Sequence, residues 1–276
     1  MKFLATFLAI FIHAGVHAQS ISGRVVDAST GAPLEYVNVR IAGKNKGTVT
    51  TSRGEYKLDV SGVDAGDTVR FSYIGYGSLS RTVASLRSTS AQLIKLTPQP
   101  LLLKELEITT KSQTRILGNA RISGRYTGWG DFESLRGRIR GLLIHDSACP
   151  VKVKSVAFRI NHNEWDSVAF RVNFLQLKDG KAGESVLNQN IFVTTSSRRK
   201  WVRVDLDSRN IVICGSVVIT LEWIDAWGVI GEYSNQLTLS LAKNSGVMYI
   251  QEPGEESGTL ATEDYTPAIT LEVYGD

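Results

Sequence analysis

Among the side chains that could do chemistry in this 276-residue chain, the histidines come first, and there are four. His13 and His17 fall in an apolar N-terminal stretch with the form of a leader, which leaves His145 and His162. A zinc-peptidase site built on His-x-x-Glu and a distant His needs three protein ligands and an open position on the metal. His145 is followed by Asp-Ser-Ala and His162 by Asn-Glu-Trp, so neither supplies that spacing. The chain also lacks H-E-x-x-H, the G-x-S-x-G nucleophile elbow and the G-x-x-x-x-G-K-[ST] phosphate loop. No catalytic, cofactor-binding or metal-ligating residue is assigned, and no cofactor is expected.

Other constellations are weaker. His145, Asp146 and Ser147 are consecutive, whereas triads are assembled from residues apart in sequence and strand neighbours point to opposite faces. A strand end before Cys149-Pro150 explains them, and a hairpin turn explains Asn161 to Glu164. Asp205 with Asp207, on one strand face, and Glu222 with Asp225, near a strand end, could serve a glycosidase, which needs two carboxylates ~5–9.5 Å apart. The acidic turn Glu252 to Glu256 has the oxygen ligands of a Ca²⁺ loop. Chance pairing, with no supporting motif, and a solvated loop account for them better. Arg136, Arg138 and Arg140 stand at period two, the spacing of one strand face, and Arg198, Arg199 and Lys200 form a second basic cluster. Each reads either as a solvated surface or as a site for an anionic partner such as an acidic glycan or a lipid headgroup.

Five tryptophans remain. Trp223 shares the apolar register of its strand and belongs to a core. Trp165 falls near a hairpin tip, Trp201 on the polar register of its strand, and Trp227 in a loop after LEWID. Exposed aromatic rings on a rigid sheet stack on the apolar C–H faces of sugars, so Trp165, Trp201 and Trp227 are the candidate ligand-binding residues. Burial at sheet ends is the competing explanation for large aromatics.

The elements that must position these residues are strands. Runs rich in Val, Ile, Thr, Phe and Tyr, punctuated by Gly, Asp, Asn and Ser, recur at the spacing of all-β folds. The first block predicts strands near 20–26, 36–42, 54–60, 67–73, 78–84, 91–96 and 104–109. Residues 111–117 read as a polar linker. The second block predicts strands near 136–144, 151–160, 167–177, 191–194, 201–206, 216–224, 236–241, 247–250 and 268–274. Val168, Phe170, Val172 and Phe174 alternate with Ala169, Arg171 and Asn173, and Val217, Ile219, Leu221 and Trp223 with Val218, Thr220 and Glu222, the pattern of half-buried strands. Helix is expected only as single turns near Leu86 or Gly130.

Met1-Lys2, the apolar run Phe3 to Ile12 and small residues at Val16 and Ala18 describe a signal peptide cleaved after Ala18. The run is shorter than the ~20 residues of a membrane span, and no other stretch approaches that length. Export to a periplasm or the exterior is expected. Hydrophobic content of 42% and charged content of 21% fit globular domains, and a formal net charge of +4 gives no reason to invoke nucleic acid. Cys149 and Cys214 could pair in an oxidising compartment, but Cys214 in IVICGSVVI is equally natural as a buried free thiol.

ISGRVVDASTGAPLEYVNVRIAGKNKGTVTTSRGEYKLDV resembles the opening of the carboxypeptidase-regulatory-like, or transthyretin-like, family of exported Bacteroidetes-type proteins. The matching features are Gly23, Val25 and Asp27, the Thr30-Gly31-x-Pro33-Leu34 turn, Gly47-Thr48 with Thr50, Gly54 with Tyr56, and Phe71 to Tyr76. The resemblance implies an accessory, non-catalytic module, seen elsewhere beside metallocarboxypeptidases or before outer-membrane barrels. The remaining chain is too short for a transporter barrel with its plug. Gly128-Trp129-Gly130 and LEWID are similar to the β-sandwich partners of such modules.

The expected architecture is all-β. A signal peptide over 1–18 precedes a seven-stranded transthyretin-like Greek-key sandwich over 19–110, a linker over 111–117 and a larger jelly-roll-like sandwich over 118–276. The expected function is non-catalytic binding or scaffolding at the envelope, with a glycan or envelope protein as partner. A glycan hydrolase and a purely structural adaptor are the alternatives, and the sequence leaves the oligomeric state open.

Overall fold

The computed structural model describes residues 20–88, 92–99, 113–130, 136–146, 148–228, 237–255 and 257–275. The signal peptide expected at 1–18 and the strand expected at 104–109 lie outside them. The protein is all-β.

Two small sheets build the N-terminal module. β1 (Ser20–Asp27) lies between β4 (Glu55–Asp59) and β7 (Gln92–Leu96), antiparallel to the first and parallel to the second. β2 (Asn38–Ile41), β3 (Gly47–Val49), β5 (Thr68–Ser72) and β6 (Leu79–Thr82) form the second sheet in the order β3-β2-β5-β6. Alternation sends Val25, Val39, Ile41, Leu58 and Phe71 into the core between them. β3 lies between the strands expected at 36–42 and 54–60, where no strand was predicted. One helical turn, α1 (Val83–Arg87), buries Val83 and Leu86 and is N-capped by Thr82, whose hydroxyl accepts from the Ser85 amide.

The residues that carry the family resemblance have structural work here. The Asp27 carboxylate accepts from the Ser29 and Thr30 amides at 2.7 and 2.9 Å and from the Tyr76 hydroxyl at 2.7 Å. It thereby closes the first turn and ties it to the Tyr73–Tyr76 corner. Gly54 sits at φ +74°, and a Cβ there would lie 2.5 Å from the Val25 carbonyl oxygen. Only glycine fits that turn.

The second block is a larger sandwich. β8 (Thr114–Gly118), β11 (Val151–Asn163), β15 (Trp201–Asp205) and β20 (Ile269–Tyr274) form one layer in the order β15-β11-β20-β8. The other layer runs β12 (Ser167–Lys178), β17 (Val217–Trp227), β10 (Ile139–Ile144), β18 (Leu237–Gln251). β13 (Lys181–Ser185) and β14 (Ile191–Thr195) extend it beyond β12, while β9 (Ile122–Gly128) and β19 (Thr259–Pro267) pair with β18. The short β16 (Val212–Ile213) pairs with the start of β11. β11 turns the corner between layers: its middle pairs with β20, and after an irregularity at Ile160 its end pairs with β18. Val156, Phe158, Phe170, Phe174, Leu221 and Trp223 fill the space between.

Several expectations are corrected. Residues 114–117, read as linker, belong to β8, which is bonded along β20. The strand expected from 136 starts at Ile139, because Gly137 at φ +87° breaks the extended run. The two strands expected at 236–241 and 247–250 are one, β18, with an irregularity between Lys243 and Gly246. Cys149 and Cys214 form a disulfide, and both are exposed, so Cys214 is not a buried thiol.

The polar registers of β12 and β17 are not solvent faces. Ala169, Arg171, Thr220, Glu222 and Ile224 are all buried. The N-terminal module covers them: Tyr36 and Val49 pack with Ala169, Ile224 and Phe192, the rings of Tyr36 and Phe192 meeting edge to face at 5.1 Å. Within this contact Glu222 lies 3.5 Å from Arg171 Nε and 3.9 Å from Arg40 Nη2. Arg171 donates to the Tyr36 carbonyl, and Arg40 donates to the Glu255 carbonyl at 2.9 Å. Asn38, in the amide orientation its neighbours require, donates to Glu222 at 2.6 Å and accepts from Arg171 at 3.0 Å. Nearby, Gly254 presses on the β2–β3 hairpin, where a Cβ would stand 2.2 Å from the Lys46 nitrogen.

Candidate functional site

Acid–base chemistry needs free titratable groups that face one another, and here the candidate carboxylates have internal partners. Glu222 is held by Arg171 and Arg40, and Asp225 lies 3.3 Å from Arg136 Nη2. Glu252 accepts from Arg138 Nε at 2.7 Å and lies 3.6 Å from Arg140. Asp207 pairs with Lys152 at 2.8 Å and accepts from the Tyr274 hydroxyl at 3.0 Å. The strand ends at Asp205, so Asp205 and Asp207 do not share its face; Asp207 opens a 3-10 turn. The arginine stripe at 136, 138 and 140 spends its charge on Asp225 and Glu252 and is not laid out for an external anion.

The histidines are also accounted for. His145 Nδ1 meets Ser216 Oγ at 2.6 Å, while Asp146 is engaged by Arg115 at 2.6 Å. His162 lies within β11 rather than in a turn, 3.1 Å from Glu164. Ser147 and Glu256 lie outside the described residues. Among the described residues no three His, Cys, Asp or Glu side chains gather as metal ligands.

An open groove of about 1270 Å³ runs along the outer face of the β4-β1-β7 sheet, bounded by β3 and Arg136. Its charges are largely matched, Arg24 with Glu55 at 2.8 Å and Lys46 with Asp59 at 2.5 Å.

The three candidate tryptophans divide. Trp165 is 8% exposed, its ring edge to face with Trp223 at 6.3 Å. It offers no free ring face, because the β11–β12 turn closes over the core at this point. Its amide donates to Asn163 Oδ1 at 3.0 Å, and Asn163 Nδ2 donates to the Ser197 carbonyl at 3.3 Å. Trp165 thus anchors the loop that leads into Trp201. Trp201 is 37% exposed at the start of β15, opposite Arg159, and Trp227 is 42% exposed at the end of β17, opposite Ser167. Both exposed rings stand on strands at the end of the sandwich that carries the β11–β12 turn.

From Trp201 the outer face of the β15-β11-β20-β8 sheet continues through Arg203 to Glu272. Glu272 accepts from Thr114 at 2.9 Å and Ser155 at 3.0 Å, lies 3.1 Å from Lys154 and pairs with Arg203. Burial works against its ionisation, but these four groups outweigh that and hold the carboxyl at about 2, against an ordinary 4.5. Because the folded value lies below the unfolded one, the stabilisation is complete above pH ~4.5 and is lost as pH falls toward 2. Carboxyl-carbon NMR is expected to show Glu272 titrating near 2, and Glu272→Gln to flatten stability across that window. A Glu272 midpoint near 4.5 would refute the arrangement.

Residues 21–108 match the CarboxypepD_reg-like domain family, a regulatory and non-catalytic module. No curated protein matches the chain. Among solved structures, the cysteine protease and lectin-like domains of Cwp84, a surface layer associated protein of Clostridium difficile, align with a TM-score of 0.43 at 10% identity. The alignment covers 93% of this chain and 63% of that one, so this chain spans less than two thirds of its length. The infectious bursal disease virus VP2 subviral particle aligns at 0.26 and 11% identity, covering 92% and 60%. BcpA, the major pilin subunit of Bacillus cereus, aligns at 0.19 and 10% identity, covering 91% and 68%.

Proposed function

Starting from a CarboxypepD_reg-like module over residues 21–108, we propose that this is an exported, non-catalytic binding or scaffolding protein that recognises a glycan through its second sandwich. In this reading residues 19–110 are one unit and 114–276, with β8, the other, with Trp201 and Trp227 as the ligand-contacting rings and Trp165 as a core residue. The exposed ring of Trp201, on a strand rather than a flexible loop, carries the proposal. A ring so fixed loses little entropy on stacking against a sugar, and the neighbouring Arg and Asp side chains can hydrogen-bond hydroxyls. The internal pairing of the candidate carboxylates supports binding without hydrolysis. The leader-like N-terminus and the disulfide support export.

The test is an array of plant, host and bacterial glycans probed with residues 19–276. Trp201→Ala is expected to weaken binding about tenfold, ~1.4 kcal/mol, with an unchanged melting temperature. Trp227→Ala is expected to have a smaller effect in the same direction. A folded protein that binds nothing on the array would sink the glycan reading and turn attention to a protein partner.

A further inference from the structure

The charge around Trp201 narrows the ligand. Arg198, Arg199 and Lys200 are exposed in the loop that enters β15. On the sheet, paired residues share a face, which sets Arg159 beside Trp201, and alternation along β15 puts Arg203 and Asp205 on that face too; Lys154 reaches it through Glu272. Against these six cations stand two carboxylates, Asp205 and Glu272, an excess of four positive charges.

The excess is concentrated at the Trp201 end. Glu272 is occupied by Lys154 and Arg203. Arg198 and Lys200 have no ion pair among the described residues. Arg199 donates to the Asn161 carbonyl at 3.2 Å and Arg159 to Ser240 Oγ at 3.3 Å, neutral acceptors that leave both charges unbalanced.

We infer that this face, with Trp201 as its stacking surface, binds an acidic polysaccharide, a sugar chain bearing carboxylate or sulfate groups. The inference rests on the glycan reading above and adds the ligand's charge to it. Two features select this occupant. Guanidinium groups form paired hydrogen bonds with carboxylate and sulfate oxygens. The tryptophan between them offers an apolar plate to the sugar ring.

The experiment uses the full chain recovered after export, with polygalacturonate and its methyl-esterified form as probes. The esterified chain keeps the sugar rings and removes the charges. Polygalacturonate is expected to bind at least about tenfold more tightly, and that preference to fall about tenfold between about 50 and about 300 mM NaCl as screening shortens. Arg198→Ala with Lys200→Ala, both exposed, should abolish the preference and its salt dependence while leaving the melting temperature unchanged. Trp201→Ala should weaken both forms alike.

Equal, salt-insensitive binding of the two forms would overturn the inference and leave glycan recognition standing. Binding of neither by the folded protein would overturn both. Capture by phosphatidylglycerol vesicles more tightly than by polygalacturonate would assign the face to a membrane surface and overturn the inference.

Discussion

Glu222→Ala is expected to cost about 3–5 kcal/mol of stability, read as a fall in the urea midpoint, because it leaves buried guanidinium groups without their carboxylate. The side chains of Arg171 and Glu222 are 2% and 5% exposed, so water cannot take over. Arg171 would keep its donation to the Tyr36 carbonyl, and Asn38 would lose an acceptor. Removing both charges together, Arg171→Leu with Glu222→Leu, is expected to cost less than Glu222→Ala alone, since no unpaired ion then stays buried there; Arg40 is the more exposed arginine and retains the Glu255 carbonyl. A Glu222→Ala protein within ~1 kcal/mol of the parent would show that water enters this contact and that the module is loosely seated.

The second large effect belongs to the disulfide. Cys149→Ser with Cys214→Ser is expected to lower stability by about 2–4 kcal/mol, the upper end matching loop-closure entropy for a bridge that spans 65 residues. Both cysteines are exposed, so serine adds no cost of burying a hydroxyl, and the loss reflects the freer unfolded chain. Reduction of the parent protein should reproduce the same fall in urea midpoint. If the double variant and the reduced parent keep the parental midpoint, the cross-link does not constrain the unfolded chain and the bridge is not part of the fold's stability.

What could be read from sequence was what strand alternation encodes. Phe170, Phe174, Leu221 and Trp223 were expected on an inward face and are there, as was a helical turn near Leu86. Six strands were missed: β3 and β16 are only three and two residues long, and the other four carry little apolar alternation. β9 contains Gly124 at φ +84°, β13 reads KAGES, β19 carries Glu263-Asp264 in its middle, and β8 looked like linker. Each is a strand because a neighbour supplies hydrogen bonds along its length.

The polar registers were misread for a related reason. Arg171 and Glu222 sit where a solvent face belongs on an isolated sandwich, and period-two reasoning sees one sheet at a time. Their cover comes from Tyr36, Asn38 and Arg40, more than a hundred residues earlier, and no local pattern announces that contact. The same holds for Arg138 and Arg140, whose partner Glu252 was read as a solvated turn. Trp201 was legible because exposure follows from its own strand's alternation. Trp165 was not, since the depth of a hairpin tip depends on what the neighbouring loop does.

The seating of the module also decides what can be exchanged. A relative of the first module grafted in place of residues 20–99 would fold its own core, yet meet a surface that demands particular counterparts. It would need a side chain able to bridge Arg171 and Glu222 where Asn38 stands, a cation at the position of Arg40, and a hairpin that admits the backbone of Gly254 where no Cβ fits. A chimera lacking these would behave as two tethered pieces with a charged, dewetted scar between them. In this chain the module is a keyed part, and its outward β2 residues are the key.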